Sequence, residues 1–222
     1  MNLTTSGIST ICILLLSLQG PGASAETLKA TVSESGKGQL VNAVVYAIPT
    51  AGLSDIEKSA GNKIIDQIDK EFVPSVSVFQ TGVNVEFPNH DNVRHHVYSF
   101  SPAKTFEIPL YKGIPAESVS FDQPGVVNLG CNIHDWMSAH VFVTDTPYFG
   151  VSDVEGNVVL HDLPNGAYNV YVWHPQQSVA TESTAQLIVL EDGDVPNLIF
   201  SVQEKKQWVP FRAPTRAAGS YR

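Results

Sequence analysis

The chain is built from short β-branched and aromatic runs, each closed within a few residues by Gly, Pro, Asn or Asp, and this pattern removes most folds from consideration. Runs stand at 41–48 (VNAVVYAI), 76–79, 83–87, 93–100, 126–129 and 139–144, and they continue beyond Pro147 at 158–160, 167–173, 185–190 and 198–202. Many short strands with regular turn signals form a sandwich or a barrel. At 222 residues the chain holds one large domain or two small ones. One segment breaks the pattern. Residues 53–68 place Ile56, Ile64, Ile65 and Ile68 on a broken apolar series that Gly61-Asn62 splits, which predicts a short helix and then the start of a strand. The expected class is all-β with at most one short helix.

Residues 1–25 read as a secretory leader. Positions 11–18 are an apolar run too short to span a bilayer, and Ala23-Ser24-Ala25 is a small-x-small cleavage signal. This leader lacks Lys and Arg, so its only positive charge is the terminal amine. Cleavage after Ala25 leaves the formal net charge of −9 intact, because no charged residue precedes Glu26. An acidic surface argues against nucleic acid or an anionic membrane as partner. At the other end, residues 204–222 carry Lys205, Lys206, Arg212, Arg216 and Arg222, and they read as a solvated, disordered tail.

Removal of the leader takes Cys12 and Met1 with it. The remaining sulfurs, Cys131 and Met137, lie six positions apart with His134 between them, a C-x-x-H-x-x-M pattern. A lone cysteine in an oxidising compartment must be buried and inert, paired to another chain, or held by a metal. The thioether three residues beyond the histidine favours the metal. Thiolate, imidazole and thioether are soft ligands that suit copper, and zinc is a poorer match. A blue copper site needs two imidazoles and a thiolate near one plane, with a weak axial thioether. A loop this short wraps one side of an ion, so the second imidazole must come from another strand. Residues 89–97 supply His90, His95 and His96. His95 shares a strand face with Val93 and Val97, His96 shares one with Arg94 and Tyr98, and His90 sits in a polar Asn-His-Asp turn. The apolar face selects His95, with His96 and His90 as the alternatives.

These residues carry a family resemblance. Phe72-Val73-Pro74, the run at 76–79, Gly82, Val85, Phe87-Pro88-Asn89, Asp91, His95 and the Cys131-x-x-His134-x-x-Met137 loop together resemble the cupredoxins, small blue copper proteins that include plastocyanin and amicyanin. The loop spacing is similar to that of amicyanin, and the group of secreted plastocyanin-like proteins often labelled methylamine-utilisation proteins is similar too. The likeness covers residues 64–145. It implies a Greek-key β-sandwich with copper near one end, His95, Cys131 and His134 as strong ligands, Met137 as the axial one, and cycling between Cu(I) and Cu(II). Two positions depart from the family's pattern. His96 stands where an asparagine often braces the ligand loop, and Leu129 stands where an aromatic often precedes the cysteine by two.

Residues 26–50 and 146–203 together resemble the carboxypeptidase regulatory-like sandwich, on the strand at 41–48 and on Asp153-Val154-Glu155-Gly156-Asn157 followed by Leu163-Pro164-Asn165-Gly166-Ala167-Tyr168. The expected organisation is a cupredoxin at 64–145 inserted into this second, small β-sandwich, which the resemblance gives no catalytic role. Trp136 either shields the loop or presents an aromatic to a partner. His140 is expected to point outward as ordinary surface, His161 and His174 to be structural, and Asp66, Asp69 and Glu71 to form a solvated face. No nucleophile elbow, phosphate loop or paired-carboxylate signature appears, so no enzyme is expected. The sequence predicts a periplasmic or secreted mononuclear copper protein that passes single electrons to a redox protein. The rivals are a copper carrier without electron transfer and a structural β module.

Overall fold

The computed structural model describes residues 25–53, 61–115 and 117–205. Three strands open it, β1 (Ala25–Glu34), β2 (Gly38–Gln39) and β3 (Val44–Pro49). Ten strands follow: β4 (Asn62–Ile64), β5 (Asp66–Ile68), β6 (Glu71–Val73), β7 (Val76–Gln80), β8 (Val83–Glu86), β9 (His95–Ser101), β10 (Lys104–Tyr111), β11 (Val119–Phe121), β12 (Gly125–Gly130) and β13 (Ser138–Thr144). Five close it: β14 (Phe149–Val151), β15 (Asn157–Pro164), β16 (Gly166–Trp173), β17 (Gln186–Leu190) and β18 (Asn197–Val202). The protein is all-β, with one β-sandwich built from the middle of the chain and a second beside it. The helical element among the described residues is a single 3-10 turn, Thr181–Thr184.

The first and last of the described strands meet. β1 pairs antiparallel with β15 and parallel with β18, and β3 lies between β14 and β16. These two sheets enclose Leu28, Val32, Leu160, Val170 and Phe200. The middle of the chain forms a five-stranded sheet, β10-β9-β12-β13-β7, opposite β11-β8-β4. Between them lie Phe87, Val97, Phe121, Val127 and Val141, all fully buried. Each such side chain removed from water contributes about 1.5–3 kcal/mol. A third cluster of Val44, Val76, Phe142 and Trp173 joins the sandwiches, with Phe142 and Trp173 ring centroids 5.2 Å apart.

Residues 62–68 form β4 and β5, as expected for the segment after Gly61-Asn62, and residues 54–60 of the expected short helix lie outside the described residues. Residues 1–24 of the expected leader (1–25) and residues 206–222 of the expected tail (204–222) also lie outside them, while Ala25 begins β1 and Lys205 is tied down by a backbone bond to Gln176. His140 is not ordinary surface: its ring packs edge-on against Trp173 with centroids 6.4 Å apart, and its Nδ1 bonds Asn128 at 2.8 Å. It does point away from its own sandwich core, and the second sandwich covers that outer face. β10 escaped the sequence reading because Pro109 interrupts it. The strand tolerates this proline because it lies at a sheet edge, with a register shift between Ile108 and Tyr111.

Candidate metal centre

β9 and β12 are neighbours in the five-stranded sheet, and their backbone pairing is Gly130 with Tyr98. That register carries Cys131, which follows β12 directly, alongside the end of β9 that begins with His95. The loop 131–137 then closes on itself, as the Cys131 amide bonds the Met137 carbonyl at 3.2 Å and the Met137 amide bonds the His134 carbonyl at 2.9 Å. This closure turns His134 back toward Cys131.

Cys131 Sγ lies 3.9 Å from His95 Nδ1 and 3.7 Å from His134 Nδ1. The ligand atoms of these three residues all fall within 4.8 Å of one another. Thiolate and imidazole ligands bind a late first-row ion at about 2.3 and 2.0 Å, and a trigonal angle then separates sulfur from nitrogen by about 3.7 Å. The observed spacings match, so the donor set fits one soft ion in both chemistry and size. His95 is fully buried and Cys131 nearly so, among Leu129, Ala139 and Val97. Met137 is 1% exposed in the same cluster. Burial, and to a lesser degree the Lys70 charge, hold His134 below the ordinary imidazole value, which keeps a ring nitrogen free to bind.

The alternative histidines lie elsewhere. His96 is buried on the opposite face of β9, with Nε2 on Glu107 at 2.8 Å and its ring against Tyr98. His90 is exposed and bonds Asp66 at 2.8 Å. Asp66 is thereby engaged, which corrects its reading as part of a solvated face; Asp69 and Glu71 are exposed as expected. His161 is exposed, and His174 bonds Glu204 at 3.4 Å in the second sandwich. Trp136 is half-buried with its ring 5.4 Å from that of His134, so it packs over the loop.

Of the residues that hold the centre in place, Asn89 and Asp91 stand in the sequence motif without a role given to them there, and Gln67 and Tyr111 lie outside it. Asp91 Oδ2 accepts a hydrogen bond from His95 Nε2 at 2.6 Å, which leaves Nδ1 to face Cys131. Asn89 is buried, donates to the carbonyls of Val93 and Tyr111 at 3.0 Å, and accepts from the Asp91 amide at 3.0 Å. Below it, Gln67 bonds the Tyr111 hydroxyl and the carbonyl of Phe87. Burial, against the Gln67 bond, pushes the Tyr111 phenol up to about 12, so it stays neutral. The available signal was the carboxylate four residues before His95, in a loop where that spacing has no periodic meaning. An open groove of about 730 Å³ flanks the centre, lined by Tyr98, Phe100, Gly130, Cys131, Asp135 and Met137 among others.

No family model matches the chain, and no curated protein matches it. Among solved structures, the chain is similar to a purple cupredoxin from Nitrosopumilus maritimus at 22% identity and a TM-score of 0.33, over 38% of this chain and 99% of that one. A reduced amicyanin variant aligns at 19% identity and a TM-score of 0.35, over 46% of this chain and 98% of that one. A copper-containing nitrite reductase from Thermus scotoductus SA-01 aligns at 22% identity and a TM-score of 0.35. That match covers 37% of this chain, which spans only 22% of the reductase's length. These are partial likenesses of fold, and the functional reading rests on the geometry of the centre.

Proposed function

We propose that this protein is a periplasmic or secreted electron carrier with one type 1 copper ion held by Cys131, His95, His134 and, axially, Met137. The observation that carries the reading is the convergence of one buried cysteine sulfur and two Nδ1 atoms at 3.7–3.9 Å. Copper, when bound, supplies a one-electron couple between Cu(I) and Cu(II). The chain does the rest. The sheet fixes His95 and Cys131, and the closed loop fixes His134, so the ligands have little room to rearrange with the redox state. Trp136 covers His134 on one side, and the remaining ring edge is the exit for the electron toward a redox protein docked there. Four protein ligands leave no open position for a substrate, which favours carriage over catalysis. The flanking strands would serve as a non-catalytic carboxypeptidase regulatory-like module that presents the carrier.

The test is an optical and paramagnetic-resonance spectrum of the mature protein loaded with Cu(II), repeated with Cys131→Ser. An intense thiolate-to-copper band toward the red end of the visible is expected, together with its loss in the folded variant. Tight copper binding without that band would move the protein to the class of copper carriers. No uptake at all would leave a structural β module.

A further inference from the structure

His95 is anchored by an anion. Its Nε2 lies 2.6 Å from Asp91 Oδ2, and the His95 side chain is wholly buried while that of Asp91 is 11% exposed. The same carboxylate accepts two backbone N–H groups, from Asp69 to Oδ1 at 2.7 Å and from Lys70 to Oδ2 at 2.8 Å. These two residues form the turn between β5 and β6, and both stand in the left-handed region at φ +54° and +63°, which L side chains occupy at a cost. The amide of Asp91 is fixed in turn by buried Asn89. The histidine–carboxylate pair nearby has no such setting, since His90 is 64% exposed.

Resting on the copper reading above, we propose that Asp91 is the positioning residue of the centre: its carboxylate fixes the Nε2–H tautomer of His95, turns Nδ1 toward the ion, and favours the more highly charged oxidation state. The first effect follows from geometry. Nε2 must carry the proton to donate to a carboxylate, so Nδ1 keeps its lone pair, 3.9 Å from Cys131 Sγ. The second follows from electrostatics, because an anion one imidazole away from the ion stabilises Cu(II) more than Cu(I). The reduction potential is therefore held lower than these ligands alone would set it. The β5–β6 turn is part of the device, since its two N–H groups hold the carboxylate in place.

The experiment compares the wild-type protein, Asp91→Asn and a turn variant, Asp69→Asn with Lys70→Gly, which keeps Asp91 and suits the positive φ angles. Three readouts are taken: nitrogen-15 imidazole shifts of the copper-free protein, the colour band of the Cu(II) form, and the reduction potential by voltammetry. Loss of such a partner weakens the preferred state by about tenfold or more. For a one-electron couple, a tenfold loss of Cu(II) over Cu(I) preference raises the potential by about 59 mV. Asp91→Asn is expected to show that rise with the band retained. The turn variant keeps both backbone N–H donors to Asp91 and is expected to retain the colour band; loss of the band there overturns the role given to the turn. A wild-type colour band with an unchanged potential in Asp91→Asn overturns the inference alone. A colourless wild type overturns the copper reading and the tuning with it. Should Asp91→Asn fail to fold, the wild-type nitrogen-15 shifts decide: a proton on His95 Nε2 is expected, and one on Nδ1 overturns the proposal.

Discussion

The ring of Tyr98 occupies the place where a side chain on Gly130 would stand. A Cβ added at Gly130 would come within 2.7 Å of Tyr98 Cζ and 2.8 Å of its hydroxyl oxygen. Residue 130 immediately precedes Cys131, and the pair is also the backbone link between β12 and β9. The tyrosine ring thus closes over the strand that delivers the sulfur, and a glycine is what permits it.

Gly130→Ala is expected to destabilise the fold by about 1–3 kcal/mol, the usual cost of overpacking. The Tyr98→Ala change, which empties the same space, should restore most of that loss in the double variant. Chemical denaturation of the four proteins of the cycle measures the coupling. Additive losses would mean that the ring and residue 130 do not compete for space.

His95→Ala and His96→Ala separate adjacent residues with opposite faces. Loss of His95 removes one of the three ligand atoms and opens a buried cavity, so copper affinity should fall by orders of magnitude and the colour band should vanish. Loss of His96 removes a buried ring and its bond to Glu107, so the melting temperature should fall while copper stoichiometry and the band persist. Copper titration followed by absorbance checks both.

Met137 is 1% exposed, so its packing and its proposed axial role can be separated by size. Met137→Leu keeps the volume and should cost less than about 1.5 kcal/mol, while replacing a thioether with hydrocarbon should raise the reduction potential. Met137→Ala should cost about 2–5 kcal/mol through the cavity it leaves. Equal potentials in Met137→Leu and the wild-type protein would remove the sulfur from the coordination of copper.

Burial holds His140 and His174 below the ordinary imidazole value of 6.5. An unfolded chain therefore binds more protons than the folded one between those depressed values and 6.5. Stability rises with pH across that window and is lost as pH falls below 6.5. The melting temperature of the copper-free protein should drop from neutral pH toward about pH 5. His140→Gln should flatten that slope; an unaltered slope would place the proton uptake elsewhere.

Much of this architecture was legible in local pattern, and the omissions have physical causes. Runs such as 76–79 and 139–144 became β7 and β13 because β-branched and aromatic side chains fit a pleated, half-buried surface. β1 was invisible because its Ala, Glu and Lys have little strand preference. Its Leu28, Ala30 and Val32 are buried through pairing with β15 and β18, more than a hundred residues away. Alternation along β13 correctly set His140 opposite Val141, yet no local period shows that Trp173 covers that side. The Cys131, His134 and His95 grouping could be read because thiol and imidazole chemistry narrows the choices. Asp91 stands in the same motif, but its role could not be read, because its meeting with His95 depends on the path of a loop.

The most direct measurement of the central claim is X-ray absorption at the copper edge of the loaded protein. One sulfur scatterer at short range with two imidazole nitrogens is expected, and Cys131→Ser should delete the sulfur. A first shell of nitrogen and oxygen alone in the wild-type protein would contradict the account.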